Sequence, residues 1–131
     1  MSYDTRENAA LAVELFVPDV REAVAFYTDT LGLEFLRADD DGAGGYTFAA
    51  MALGKAFLML MADSFYHHDL TNRGAGVDIR LVVPDVDAVY KRVTDAGVEI
   101  AKPIGDRDYG LRDFTMRDPN GFRLRFASPL G

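Results

Sequence analysis

Residues 11–17 alternate in character: Val13, Leu15 and Val17 fall on one side of an extended chain, and Ala12, Glu14 and Phe16 on the other. That period of two predicts a strand. Pro18 closes it, and Asp19 with Glu22 three residues on forms a capping box that opens a helix. Val20, Ala23, Val24, Tyr27 and Leu31 then recur at helical spacing up to Gly32. A short strand is predicted over 33–36 and a turn over the Asp- and Gly-rich 39–45. Two further strands follow at 46–51 and 56–61, around Leu53-Gly54. The order is β-α-β-β-β.

The second half repeats it. Residues 77–83 alternate, with Val77, Ile79, Leu81 and Val83 against Asp78, Arg80 and Val82. Asp85 caps a helix whose apolar positions are Val86, Val89, Tyr90 and Val93, ending at Gly97. A short strand at 98–101, a polar loop at 102–109 and strands at 112–117 and 122–127 complete the unit. Asn120-Gly121 marks a hairpin between the last two. The tetrapeptide Val-Pro-Asp-Val opens both helices, at 17–20 and 83–86, an offset of 66 residues (83 − 17). The chain is an internal duplication, and a repeat of this period sets the fold.

At 131 residues and 49% apolar the chain supports a single domain with a sizeable core. No apolar run approaches the length of a membrane span. Residues 1–8 are polar and mixed in charge, unlike a signal peptide, and the first few are expected to be disordered. The absence of Cys removes disulfides, thiolate ligands and thiol nucleophiles, and fits a cytoplasmic protein. A net charge of −7 argues against nucleic acid as a partner. It serves solubility, and it favours a cationic ligand where acidic residues lie near the site.

Parity adds a deduction. Each βαβββ unit has a helix on one sheet face, and the other face is too apolar to stay bare, so the units cover each other or a partner. That second face carries Glu14 in one half and Asp78 and Arg80 in the other. Inward charges are costly unless paired or wet, so they point to a solvated cavity.

The pattern resembles the vicinal oxygen chelate superfamily of glyoxalase I, bleomycin resistance proteins and extradiol dioxygenases. The resemblance covers roughly residues 11–128. It rests on Pro18-Asp19-Val20 followed by Ala25-Phe26-Tyr27 and Leu31-Gly32-Leu33, on Pro84-Asp85-Val86 with Ala96-Gly97-Val98, and on the Arg117-Asp118-Pro119-Asn120-Gly121 hairpin. It implies an α+β fold of two tandem βαβββ modules, with sheets curving around a cavity and helices outside. Module one would occupy about 10–62 and module two about 76–128, with a linker at 63–75.

Metal enzymes of that superfamily draw His, Gln or Glu ligands from the inward faces of the first and last strands of each half. Counting seven residues back from each capping Asp places those positions at Ala12 and Asp78; the last strands place them near Met59 and at Arg125. Ala12 has no donor, Met59 suits a hard ion poorly, and Arg125 repels one. The resemblance therefore implies no metal, no other cofactor and no catalytic residue here. It points to the metal-free branch, in which bleomycin resistance proteins sequester a cationic drug between two subunits. Tyr109-Gly110 resembles the aromatic-Gly pair of such binders, whose ring would stack on a planar group.

Other residues have two readings each. Phe57, Met59 and Met61 share a strand face and fit either core packing or an adaptable ligand surface. Arg80 and Arg125, near Glu14 and Asp78, fit internal salt bridges or ligand recognition. His67 and His68 are the only histidines. Neighbours in an extended chain point apart, which disfavours a metal pair with Asp63 or Asp69, whereas with Phe65 and Tyr66 they could rim a cleft. Arg117 with Asp118 would fix the hairpin, and 106–108 would be solvated surface or a lid. No nucleophile elbow, phosphate-binding Gly loop or metalloprotease pair is present.

The sequence thus predicts a homodimeric, cytoplasmic binder of a cationic or aromatic small molecule, of the bleomycin antibiotic type, conferring resistance by sequestration. The expected ligand set is Glu14, Phe16, Phe57, Met59, Met61, Tyr66, Asp78, Arg80, Tyr109 and Arg125. The alternatives are a metal-dependent lyase or dioxygenase with a ligand set built on Asp78, and a metal-independent enzyme or accessory protein using Asp78 or Glu14 as a base.

Overall fold

A computed structural model describes residues 5–131, so the expectation for the first few residues lies largely outside it. The chain divides into two units, one ending at Asp69 and the other spanning Leu70–Gly131. Each contains an open four-stranded sheet, and neither sheet closes into a barrel.

In the first unit the strands are β1 (Val13–Val17), β2 (Glu34–Asp40), β3 (Tyr46–Leu53) and β4 (Ala56–Ala62), in spatial order β1-β4-β3-β2. β1 runs parallel to β4, which requires the crossover that helix α1 (Val20–Ala25) supplies. The expected cap is present: the Asp19 carboxylate accepts from Glu22 N at 3.0 Å. Leu15, Val17, Leu58 and Leu60 bury one sheet face, and Val20, Ala23, Tyr27 and Leu31 complete that core. The predicted single helix is interrupted after Ala25. Phe26–Thr30 widens into a π turn, in which Leu31 N donates to Phe26 O, five residues back.

β2 runs further than the sequence indicates. Antiparallel pairing with β3 continues to Asp40↔Tyr46 through two irregularities. The turn proper starts at Asp41, whose carboxylate accepts from Ala43 N and Gly45 N. A 3-10 turn, Thr5–Asn8, packs against β4. Arg6 bridges it to Glu34 at 2.9 Å, and Glu7 bridges it to Arg37 at 2.8 Å.

The second unit repeats the arrangement: β5 (Asp78–Val82), β6 (Ile100–Asp106), β7 (Leu111–Arg117) and β8 (Arg123–Pro129), in order β5-β8-β7-β6. Helix α2 (Val86–Asp95) is capped by Asp85, which accepts from Ala88 N at 3.1 Å. Ser128 joins helix to sheet, donating to Val83 O at 2.6 Å and accepting from Val86 N at 3.0 Å. The segment read as a polar loop from residue 102 is instead half strand. β6 pairs with β7 out to Asp106↔Arg112, and an edge strand with irregular pairing tolerates Pro103. The Asn120-Gly121 hairpin forms as expected; the Asp118 carboxylate accepts from Asn120 N and Phe122 N, both at 2.9 Å.

Gly74 fastens the segment before β5 to this hairpin. Its φ is +71°, and a Cβ there would lie 2.9 Å from the Phe122 ring and 3.3 Å from Phe122 Cα. Gly74→Ala is expected to cost about 2 kcal/mol in urea unfolding. Gly76→Ala, at φ +80° but facing open space, carries only the backbone part, about 1 kcal/mol. Equal costs for the two would refute the close approach.

Candidate ligand faces of the two sheets

The register settles what lies together on the helix-free face of the first sheet. One row crosses it as Glu14↔Met59↔Ala50↔Arg37 and the next as Phe16↔Met61↔Phe48↔Asp39. Glu14 stands at the β1 edge, exposed, with no ion-pair partner among the described residues. Met59 and Met61 are half-buried beside it. Phe16 is half-buried and meets Tyr66 with ring centroids 4.8 Å apart. Tyr66 in turn meets His68 edge-on at 5.8 Å. Glu14, Phe16, Met59, Met61 and Tyr66 are therefore one patch. Phe57 shares the face by parity but is only 5% exposed, on the strand against which the Thr5–Asn8 turn packs, and offers little ring surface. Arg37, which the sequence reading passed over, ends the first row. Its guanidinium lies 4.9 Å from the Phe48 ring centroid and is neutralised by Glu7.

The second sheet has a different face on the same lattice. Its rows are Asp78↔Arg123↔Arg117, Arg80↔Arg125↔Thr115↔Lys102 and Val82↔Ala127↔Asp113↔Gly105. The offset of 66 that relates Glu14 to Arg80 also relates Met59 to Arg125 (125 − 59), so the two pairs hold equivalent ladder positions in the two sheets.

Of the internal salt bridges read for Arg80 and Arg125 beside Glu14 and Asp78, one forms, for Arg125, and with another carboxylate. Asp78 pairs with Arg123, its direct neighbour in the parallel ladder, at 2.6 Å. Arg125 pairs with Asp113 at 2.6 Å, and Arg80 is exposed with no ion-pair partner among the described residues. Asp113 is the hub of this face. Its carboxylate, with side chain 1% exposed, accepts from Arg107 Nε at 2.7 Å, Tyr109 Oη at 2.8 Å and Arg125 Nε at 2.8 Å. Arg125 Nη2 donates to Tyr109 Oη at 2.9 Å, and its guanidinium lies 5.2 Å from the Tyr109 ring centroid. Tyr109 is 54% exposed, so it can still present ring to a ligand while its hydroxyl is held. Arg107, expected in a solvated loop or lid, is pinned to Asp113 and to Pro103 O.

Burial alone would push the Asp113 carboxyl up. The hydrogen bonds from Arg107, Tyr109 and Arg125, with the charge of Arg125, outweigh it and bring it down to about 2. The bond to Asp113 raises both Tyr109 and Arg125. A depressed folded-state carboxyl contributes stability that is full above the unfolded value near 4 and is lost as pH falls through 2. The acid limb of a stability–pH profile is therefore expected to carry about 2 kcal/mol from Asp113. Urea unfolding of wild type and Asp113→Asn between pH 6 and pH 2 measures it; identical slopes would count against the hub.

The positions where a divalent ion would sit do not suit one. Ala12 has no donor atom, Asp78 is taken by Arg123, and Arg125 is a cation held by Asp113. Among the described residues no three His, Asp or Glu side chains group as a metal set. His67 adopts a left-handed φ of +67°. Among the described residues no helix is long and apolar enough to cross a membrane.

Comparisons with known proteins follow the architecture. The model of the Glyoxalase/Bleomycin resistance protein/Dioxygenase superfamily matches residues 10–126. The crystal structure of TioX from Micromonospora sp. ML1 superposes with a TM-score of 0.75 at 27% identity, covering 93% of this chain and 100% of that one. A superfamily member from Sphaerobacter thermophilus gives 0.71 at 26% identity, covering 92% and 97%. A Synechocystis protein named probable lactoylglutathione lyase is 27% identical over 114 residues, 82% of this chain and 86% of its own.

Proposed function

The chain belongs to the Glyoxalase/Bleomycin resistance protein/Dioxygenase superfamily, and from that premise we propose that it is a binding member, holding a cationic, aromatic small molecule without metal-assisted chemistry. The observation that carries this reading is the patch on the first sheet. Glu14 is an exposed carboxylate without a counter-ion among the described residues, beside two methionines and the Phe16–Tyr66 aromatic pair. A carboxylate next to aromatic and thioether groups matches a planar ring bearing a positive charge. The carboxylate supplies a charge-assisted bond, the rings supply stacking, and Met adapts to shape. Within the second unit Asp113 fixes the orientation of Tyr109, whose exposed ring is a separate stacking surface.

The antibiotic reading makes the ligand a drug of the bleomycin type and the function resistance by sequestration in a homodimer. Calorimetric titration with copper-bleomycin, mitomycin and peptide antibiotics tests it. Micromolar or tighter binding to one class is expected, and no heat with any of them sinks the drug claim. Light scattering should give twice the 14.4 kDa of the chain.

The similarity to a protein named for lactoylglutathione lyase activity favours a second reading, a metal-dependent lyase. Metal analysis of protein purified without chelator separates the two. A stoichiometric divalent ion would overturn the binding reading, because the donor set described above gives such an ion nothing to hold it.

A further inference from the structure

A separate cavity lies within the second unit. It measures about 460 Å3 and is walled by the segment before β5 and by the β7–β8 hairpin. Its polar lining is Thr71, Asn72, Arg73, Arg117, Asn120 and Arg123. In a chain of net charge −7, three arginines and no carboxylate line one cavity.

Arg117 and Arg123 face each other directly across the β7–β8 ladder. Like charges in that position repel, and each is offset from the far side: Glu99 meets Arg117 Nε at 3.0 Å, and Asp78 meets Arg123 Nε at 2.6 Å. These pairs leave donors over. Among the described residues nothing accepts a hydrogen bond from Nη1 of Arg123 or from either terminal nitrogen of Arg117. The walls are also fixed: Gly74 lies against Phe122, and the Asp118 carboxylate pins the hairpin at Asn120 N and Phe122 N.

We infer that this cavity binds the phosphate group of a small phosphorylated molecule. Guanidinium forks match phosphate oxygens, and the fixed charge of arginine persists at every physiological pH. The donors come from separate walls, two asparagine amides among them. A tetrahedral oxyanion offers three or four acceptor oxygens in three dimensions, where a carboxylate offers two, mainly in one plane. The volume exceeds that of one phosphate, which leaves room for an organic remainder.

Amide NMR titration of the whole chain tests the site, with inorganic phosphate and glycerol 2-phosphate as probes and acetate and sodium chloride as controls at matched ionic strength. Saturable shifts are expected at residues 71–76, 120 and 121 with both phosphates, at low-millimolar affinity or tighter and at least tenfold tighter than acetate. Arg117→Gln should weaken both at least tenfold while the resonances of the first unit stay in place. Shifts that fail to saturate, that chloride reproduces, or that are as strong with acetate would overturn the inference in the wild-type protein alone. So would an Arg117→Gln variant that titrates as wild type.

Discussion

Asp113→Ala is expected to destabilise the protein by about 3–5 kcal/mol, the largest loss of any single polar substitution here. The carboxylate is buried and satisfies two arginines and a tyrosine at once. Its removal leaves Arg107 and Arg125, with side chains only 20% and 26% exposed, close together without their counter-charge. Breaking such a pair by deleting one partner costs far more than the pair contributes net, because the stranded charges keep their desolvation penalty. Asp113→Asn keeps an acceptor and loses the charge, so an intermediate cost of about 2 kcal/mol is expected. Urea denaturation followed by circular dichroism measures both. A loss under about 1 kcal/mol for alanine would mean that water reaches these arginines and the hub is not structural.

Glu14→Lys should have the opposite profile. Glu14 is exposed and pairs with nothing among the described residues, so stability should change by no more than about 0.5 kcal/mol. Affinity for a cationic aromatic ligand should fall about 100-fold, since an attractive charge-assisted contact becomes a repulsive one. Calorimetry against the best-binding antibiotic, beside a urea curve of the same sample, reads both quantities. Unchanged affinity would remove Glu14 from the site and with it the argument for a cationic ligand. A third variant, Phe16→Ala, separates stacking from charge, with an expected loss of about tenfold.

The duplication made the scaffold legible. Two copies of Val-Pro-Asp-Val fixed β1, β5 and both helix caps, and parity then divided each first strand into a buried and a free face. Strand ends were harder to read. β2 and β6 extend through Asp-rich and Pro-containing stretches because a neighbouring strand offers backbone partners, a tertiary effect absent from local composition. The make-up of the helix-free face was legible in part. Glu14, Phe16, Met59 and Met61 share a face because period-two spacing on two strands forces them to. Asp113 was missed although a signal existed: β7 alternates Phe114 and Met116 with Asp113, Thr115 and Arg117, which puts an acid on the same face as Arg125. Arg107 left no signal, since its reach to Asp113 depends on the irregular pairing of β6 with β7.

On β1 the residues that pack against the helix and those on the helix-free face alternate without overlap: Leu15 and Val17 on one side, Glu14 and Phe16 on the other. Specificity and foldability are thus written in interleaved letters. A library randomised at 14, 16, 59 and 61 should return mostly folded proteins, so this surface can drift from one ligand to another without passing through unfolded intermediates.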